Sequence, residues 1–276
     1  MTPVVKSVEL PNRVTLSYVE QGDRSGAPVV LLHGVTDSWH SFDLVLPHLP
    51  ESIHAFALTQ RGHGDSSRPA TGYRFGDFAA DVAAFMDALQ IESAIVVGHS
   101  MGSSVAQRFA IDYPERTLGL VLIAAFAGLR GNPDVLDLWN SVISTMTGPV
   151  DPGFAREFQE STLGQRVPPA FFETIMQECL KVPARVWKAV FEGFLEDDFS
   201  DQLSKIKTPV LIVWGDQDVF CRRTDQDALL AAISGSRLIE YPGNGHAVHW
   251  EQPERFVSDL KAFVEEVTSN RKAPNC

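Results

Sequence analysis

The stretch AIVVGHSMGSSVA, Ala94–Ala106, runs strand-forming residues into a serine with a glycine two places before it and another two places after. A helix-forming pattern follows at once. A buried strand has no packing reason to end in this way. G-x-S-x-G between a strand and a helix is the spacing of a nucleophile elbow, in which the serine occupies a strained turn and its flanking positions need almost no side chain. Gly98 and Gly102 meet that need. The turn would lift the Ser100 hydroxyl and aim the start of the next helix at it, where free N–H groups and the helix dipole favour developing negative charge. The bare pattern is common, and an ordinary small-residue turn would read the same, so the rest of the chain must supply partners.

A serine hydroxyl is a poor nucleophile and needs a positioned base. Of eight histidines, His33, His63 and His99 lie inside loop motifs, and His40, His48 and His54 carry no partner signal. His246, in YPGNGHAVHWEQP, follows the apparent last strand RLIEY and precedes the terminal helix, the chain-order position of a base in Ser…Asp…His hydrolases. His249 competes with it but lacks the preceding glycine turn. A His246–His249 metal pair has no H-E-x-x-H or carboxylate signature behind it. In VLIVWGDQDVF, Asp216 and Asp218 both follow a buried strand. Asp216 suits a turn brace, and Asp218 is the favoured acid to orient the imidazole. The oxyanion donors would be backbone N–H groups, from Met101 after the serine and from Val35 in HGVTD, with His33 and Gly34 shaping that turn.

Apolar runs alternate with helical patterns along the chain. Strands are predicted at Ala27–Gly34, from Ile53, from Ala94, and within TLGLVLIAAF, TPVLIVWGDQD and RLIEY. FGDFAADVAAFMDALQI spaces Phe78, Val82, Phe85, Met86 and Leu89 three or four apart, as an amphipathic helix does. Pro114 helps to end the helix after the elbow. ERFVSDLKAFVEEV reads as a terminal helix with the frayed tail SNRKAPNC behind it. Near-continuous apolar strands alternating with helices indicate an α/β fold with a mostly parallel sheet covered on both faces. Such sheets carry ligands beyond the carboxyl ends of their strands, where all the motif loops would gather. Between Ala127 and Lys207 the alternation gives way to aromatic residues among helix formers, with Pro149, Pro152, Pro168, Pro169 and Pro183 as breaks. This segment either extends the core or caps the pocket, and its place in the chain favours a cap. The expected organisation is therefore a core of 1–126 and 208–276 with a helical insertion at 127–207. Its pocket walls are expected from Phe126, Trp139 and Trp187. Trp39 either joins them or fills the core.

The 276 residues are 44% hydrophobic and 21% charged, as in a soluble globular protein. No apolar run reaches the roughly 18 residues that span a bilayer. The N-terminus lacks the order of a secretory signal. Cys179, Cys221 and Cys276 are odd in number and far apart, which argues against a disulfide framework or zinc site and fits a reducing cytoplasm. A net charge of -12 disfavours nucleic acid and makes a neutral small molecule the better partner.

Taken in order, HGVTDSW, RGHGDSSRP, GHSMGS, WGDQD and GNGHAVHWEQPERF resemble the α/β-hydrolase superfamily in its serine esterase and lactonase branch. The resemblance covers essentially the whole chain. It implies an eight-stranded, mostly parallel sheet with a helical cap after the sixth strand, and a Ser100, Asp218, His246 triad with Val35 and Met101 as oxyanion donors. It implies hydrolysis of a small-molecule ester or lactone without metal or organic cofactor. N-acyl-homoserine lactones and enol-lactones fall within that class. C–C bond hydrolysis, cofactor-free perhydrolysis and a hydrolase-like binding protein are the other readings. Two departures from the branch stand out: Ser103 replaces a second glycine common after the elbow, and the acid loop lacks a proline common there.

Overall fold

The computed structural model of the chain describes residues 3–130 and 132–272. Eight strands form one sheet: β1 (Val5–Glu9), β2 (Thr15–Gln21), β3 (Ala27–Leu32), β4 (Ile53–Leu58), β5 (Ala94–His99), β6 (Thr117–Ile123), β7 (Val210–Gly215) and β8 (Arg237–Tyr241). Their spatial order is β1-β2-β4-β3-β5-β6-β7-β8. β1 and β2 pair antiparallel, as do β2 and β4, and every other pairing is parallel.

Period-2 side-chain alternation explains why the central strands read as unbroken apolar runs. On β3, Val30 and Leu32 enter one core layer and Val29 and Leu31 the other; on β6, Leu120 and Leu122 oppose Val121 and Ile123 in the same way. The first layer is covered by α1 (Phe75–Ala88) and α2 (Met101–Asp112), where Phe85 packs edge-on against Tyr18 with ring centroids 5.1 Å apart. The second is covered by the terminal helix α9 (Pro253–Lys272) through Phe256, Leu260 and Phe263. The expected tail is thus helical through Lys272, and its remainder lies outside the described residues.

Between β6 and β7 come four helices, α3 (Pro133–Ser141), α4 (Pro152–Ser161), α5 (Pro169–Lys181) and α6 (Ala184–Glu196). Of the prolines read as breaks, Pro152 and Pro169 occupy first-turn positions, Pro168 and Pro183 directly precede α5 and α6, and Pro149 lies in the loop before α4. A first-turn proline lacks only an N–H that the helix would leave unpaired anyway. The chain then continues through α7 (Arg223–Ala232) and the one-turn α8 (Val248–Glu251).

Register places the functional loops. Leu32 pairs with Gly98, Gly98 with Leu122, and Ile123 with Val213, so β3, β5, β6 and β7 end nearly level. The loops after them open on one edge of the sheet.

Candidate active site

Ser100 lies between β5 and α2 with φ 51° and ψ −114°. A residue with a β-carbon in such a conformation costs about 1–3 kcal/mol and persists only where its surroundings fix it. Here they do: Ser100 N donates to Ile123 O at 3.0 Å. A β-carbon on Gly98 would fall 2.1 Å from Gly102 O, and one on Gly102 would fall 2.2 Å from Leu32 O. Neither glycine can carry a side chain while strand, turn and helix keep these positions. Ser103 fits where a second glycine is common, because its hydroxyl donates to Ser100 O at 2.6 Å and remains within the turn.

His246 is buried, and its Nδ1 lies 2.8 Å from Asp218 Oδ2. The other carboxylate oxygen of Asp218 accepts the N–H groups of Phe220 (2.8 Å) and Cys221 (3.0 Å). These two bonds fix the carboxylate in a loop that has no proline. Asp216 is exposed and accepts from Gly243 N at 2.6 Å, tying the acid loop to the histidine loop. The two loops meet backbone to backbone, since a β-carbon on Gly215 would lie 2.3 Å from Gly245 O. His249 is turned away, with its Nε2 3.2 Å from Ser41 Oγ, and burial lowers its pKa to about 3. Ser100 and His246 line one pocket. Among the described residues no hydrogen bond joins their side chains; such contacts are often loose before substrate binds.

On the opposite side of Ser100, His33 is fully buried. Its Nε2 accepts from Gln60 N at 2.9 Å, which leaves Nδ1 to donate to Gly34 O at 2.7 Å. Burial holds His33 neutral, well below its ordinary pKa. His99 is likewise neutral through burial, and its Nε2 donates to His246 O at 3.2 Å. Val35 lines the pocket, and Met101 is buried at the start of α2.

The pocket, together with the solvent at its open mouth, spans about 650 Å³. Phe126, Phe158, Phe191, Phe194 and Phe220 form its aromatic wall, with Leu129, Val135 and Leu138 beside them. Of the aromatic residues expected there, Phe126 is in place, whereas Trp39, Trp139 and Trp187 are not among the lining residues. Trp39 belongs to the core layer on the sheet's other face and stacks on His40 with ring centroids 3.8 Å apart. Trp187 is wholly buried among Phe154, Phe158 and Phe191, and Trp139 packs half-buried against that core. Its pocket-facing neighbours on α6 are Phe191 and Phe194, one and two turns further along the helix. Among the described residues Asp134 is the one carboxylate on the lining, and it pairs with Arg222.

Two buried polar residues have no role assigned from the sequence, although the first closes the HGVTD motif. Asp37, in the turn after Val35, accepts from Gln159 Nε2 at 3.2 Å, and burial pushes its carboxyl up to about 7. Gln159 on α4 also donates to Thr36 Oγ1 at 3.0 Å. Its one sequence signal is position: it lies one turn after Ala155, on the face α4 buries.

Asp218, Cys221 and His246 place potential metal-ligating atoms within 4.8 Å of one another. Each is already committed, Asp218 and His246 to one another and the Cys221 thiol to Ala124 O at 3.1 Å. Cys179 and Cys221 are buried free thiols, and Cys276 lies outside the described residues.

A family profile described as the alpha/beta hydrolase fold matches residues 27–253. The chain is 30% identical to a non-heme chloroperoxidase of Streptomyces lividans, over 94% of this chain and 99% of that one. It is 28% identical to a bifunctional esterase/perhydrolase of Acinetobacter calcoaceticus, over 91% and 96%. A thermophilic esterase of Thermogutta terrifontis shares the fold at a TM-score of 0.84 and 24% identity, with 96% of this chain and 99% of that chain covered. With its strand order, its elbow and a match over most of its length, the chain belongs to the alpha/beta hydrolase fold family.

Proposed function

We propose that the protein is a serine hydrolase of small to medium carboxylic esters or lactones with an uncharged, apolar acyl part. The pairing of His246 with Asp218 beside the Ser100 elbow carries this reading. In it Ser100 Oγ attacks the ester carbonyl as its proton passes to His246. The oxyanion is held by the Val35 and Met101 N–H groups. The carbonyl re-forms, the C–O bond to the alcohol breaks, and His246 returns the proton to the departing alkoxide. A water molecule then gives a proton to His246 and adds to the acyl carbon, which releases the acid and regenerates Ser100. Asp218 keeps the imidazole in the tautomer that can accept the proton and stabilises its cationic form.

The phenylalanine wall supports an apolar acyl group. Among the described residues the lining contains no Lys or Arg, and the nearby Arg222 is already paired with Asp134. A carboxylate-bearing enol-lactone would therefore lose its hydration without gaining a partner, whereas an aliphatic or aryl ester would not. We read 127–207 as the cap that supplies most of this wall.

Fluorophosphonate labelling tests the reading directly. One equivalent should attach to Ser100, and Ser100→Ala should lose both labelling and turnover of p-nitrophenyl butyrate while its circular dichroism is unchanged. Undiminished turnover by Ser100→Ala would end the proposal. The names of the chloroperoxidase and perhydrolase relatives favour a second reading, in which hydrogen peroxide replaces water as acceptor of the acyl group and a peracid leaves. Peracid formation from acetate ester and peroxide that is lost in Ser100→Ala would support it, and its absence would leave hydrolysis alone.

A further inference from the structure

The segment 159–164, at the end of α4 and just beyond it, touches the loops on both sides of Ser100. The side-chain amide of Gln159 is buried, and both its hydrogens are used, on Thr36 Oγ1 at 3.0 Å and on Asp37 Oδ1 at 3.2 Å. Three residues later, Thr162 O accepts the N–H of His246 at 2.8 Å. Gly164 and Gly245 then approach so closely that a β-carbon on Gly164 would fall 2.5 Å from Gly245 N. Both of their N–H groups reach the carboxylate of Glu251, at 2.8 Å and 3.0 Å.

The turn after Val35 needs holding. Thr36 is β-branched yet has φ 71°, a conformation that survives only where neighbours over-determine it. The turn's own backbone bond, Asp37 N to Gly34 O, is 3.4 Å long, and Ser41 Oγ lies equally far from Asp37 Oδ2. The bonds from Gln159 are shorter than either. Burying a side-chain amide is unfavourable unless its donors are satisfied, and an apolar residue would fill that face of α4 without the cost.

We propose that Gln159 is a positioning residue for acyl transfer: through Thr36 and Asp37 it holds the turn that aims the Val35 N–H at the oxyanion. This rests on the acyl-transfer reading above. The inserted helices then set the rate of the chemical step as well as the shape of the pocket.

The test compares the wild type with Gln159→Met, Thr36→Val and the double variant on p-nitrophenyl acetate and p-nitrophenyl butyrate. Misplacing a catalytic group by about 1 Å can cost about 100-fold, so each single variant should lose about 10- to 100-fold in kcat on both esters, with KM changed less than about twofold. The double variant should be no worse than Gln159→Met, because that substitution already removes the bond to Thr36. Thr36→Ser, which restores the acceptor, should recover most of the loss. A trifluoromethyl ketone, which forms a tetrahedral adduct on serine, should lose affinity in step with kcat/KM. Unchanged kcat in both single variants would overturn the assignment, as would a loss confined to the longer ester, which marks a pocket wall alone. If Gln159→Met does not fold, Thr36→Val and its serine rescue carry the test. Failure of the underlying reading is separately visible, because the wild type would then not label at Ser100.

Discussion

The carboxylate of Asp218 is divided between two tasks, with Oδ2 facing His246 Nδ1 at 2.8 Å and Oδ1 receiving the N–H groups of Phe220 and Cys221. Asp218→Asn separates the two. The amide oxygen can keep the backbone bonds, which leaves the NH2 group facing Nδ1 and forces the imidazole into the other tautomer. We expect folding to be preserved and kcat to fall by about 10³- to 10⁴-fold. Steady-state hydrolysis of p-nitrophenyl butyrate beside a thermal melt checks this, and a loss of less than tenfold would remove Asp218 from the mechanism.

Gly102 and Gly76 should respond in opposite ways to alanine. A β-carbon on Gly102 would press on the Leu32 carbonyl, 2.2 Å away, and neither β3 nor α2 can retreat from the other. Gly102→Ala should cost at least about 3 kcal/mol. In the first turn of α1, a β-carbon on Gly76 meets nothing within 4 Å. Gly76→Ala should stabilise by about 0.5–1 kcal/mol by restricting the unfolded chain. Urea titration of the pair measures both.

Asp37 makes stability depend on pH. Burial lifts its carboxyl to about 7, with Gln159, His246 and Ser41 opposing the rise and Glu178 adding to it, whereas the unfolded chain titrates near 3.9. Between those values the unfolded chain has released a proton that the folded chain still holds. Stability from this group is therefore full at low pH, falls as pH rises from about 4 to about 7, and is level above that. Asp37→Asn imitates the protonated acid and offers an N–H towards His99 Nδ1, which lies 3.9 Å from Asp37 Oδ2 and has no hydrogen-bond partner among the described residues. The variant should match the wild type near pH 4.5 and exceed it at pH 8 by on the order of 2–3 kcal/mol. Denaturant titrations at the two pH values decide the matter, since an equal difference at both would mean that Asp37 stays charged.

Asp134 and Arg222 join α3 to the acid loop across the pocket rim, yet both are more than half exposed. Such pairs contribute about 0–1 kcal/mol. Asp134→Asn should therefore leave the melting temperature almost unchanged, and any effect should appear in KM for longer esters. A large loss of stability with unchanged KM would contradict this.

What could be read from the sequence was local chemistry. The elbow, the WGDQD and GNGH loops and the central strands carry it in adjacent residues, because a tight turn demands glycine and a strand buried on both faces demands an apolar run. The β1–β2 hairpin went unread: β1 is an edge strand whose residues are mostly exposed, and its turn is marked only by LPNR, with Arg13 at φ 63°. Trp187 was expected on the pocket and lies behind Phe158 and Phe191, since hydrophobicity marks a residue as buried without saying on which side of a helix. Gln159 and Asp37 are 122 positions apart, and no single-sequence pattern announces such a pair.

The level ends of β3, β5, β6 and β7 gather residues from Val35 to His246 at one edge, so the centre draws on nearly the whole length of the chain. No fragment contains it, and its longest-range contacts are among the slowest for a folding chain to close. Recovery of turnover after dilution from denaturant should thus trail the return of helical signal, which makes catalysis itself a reporter of completed assembly.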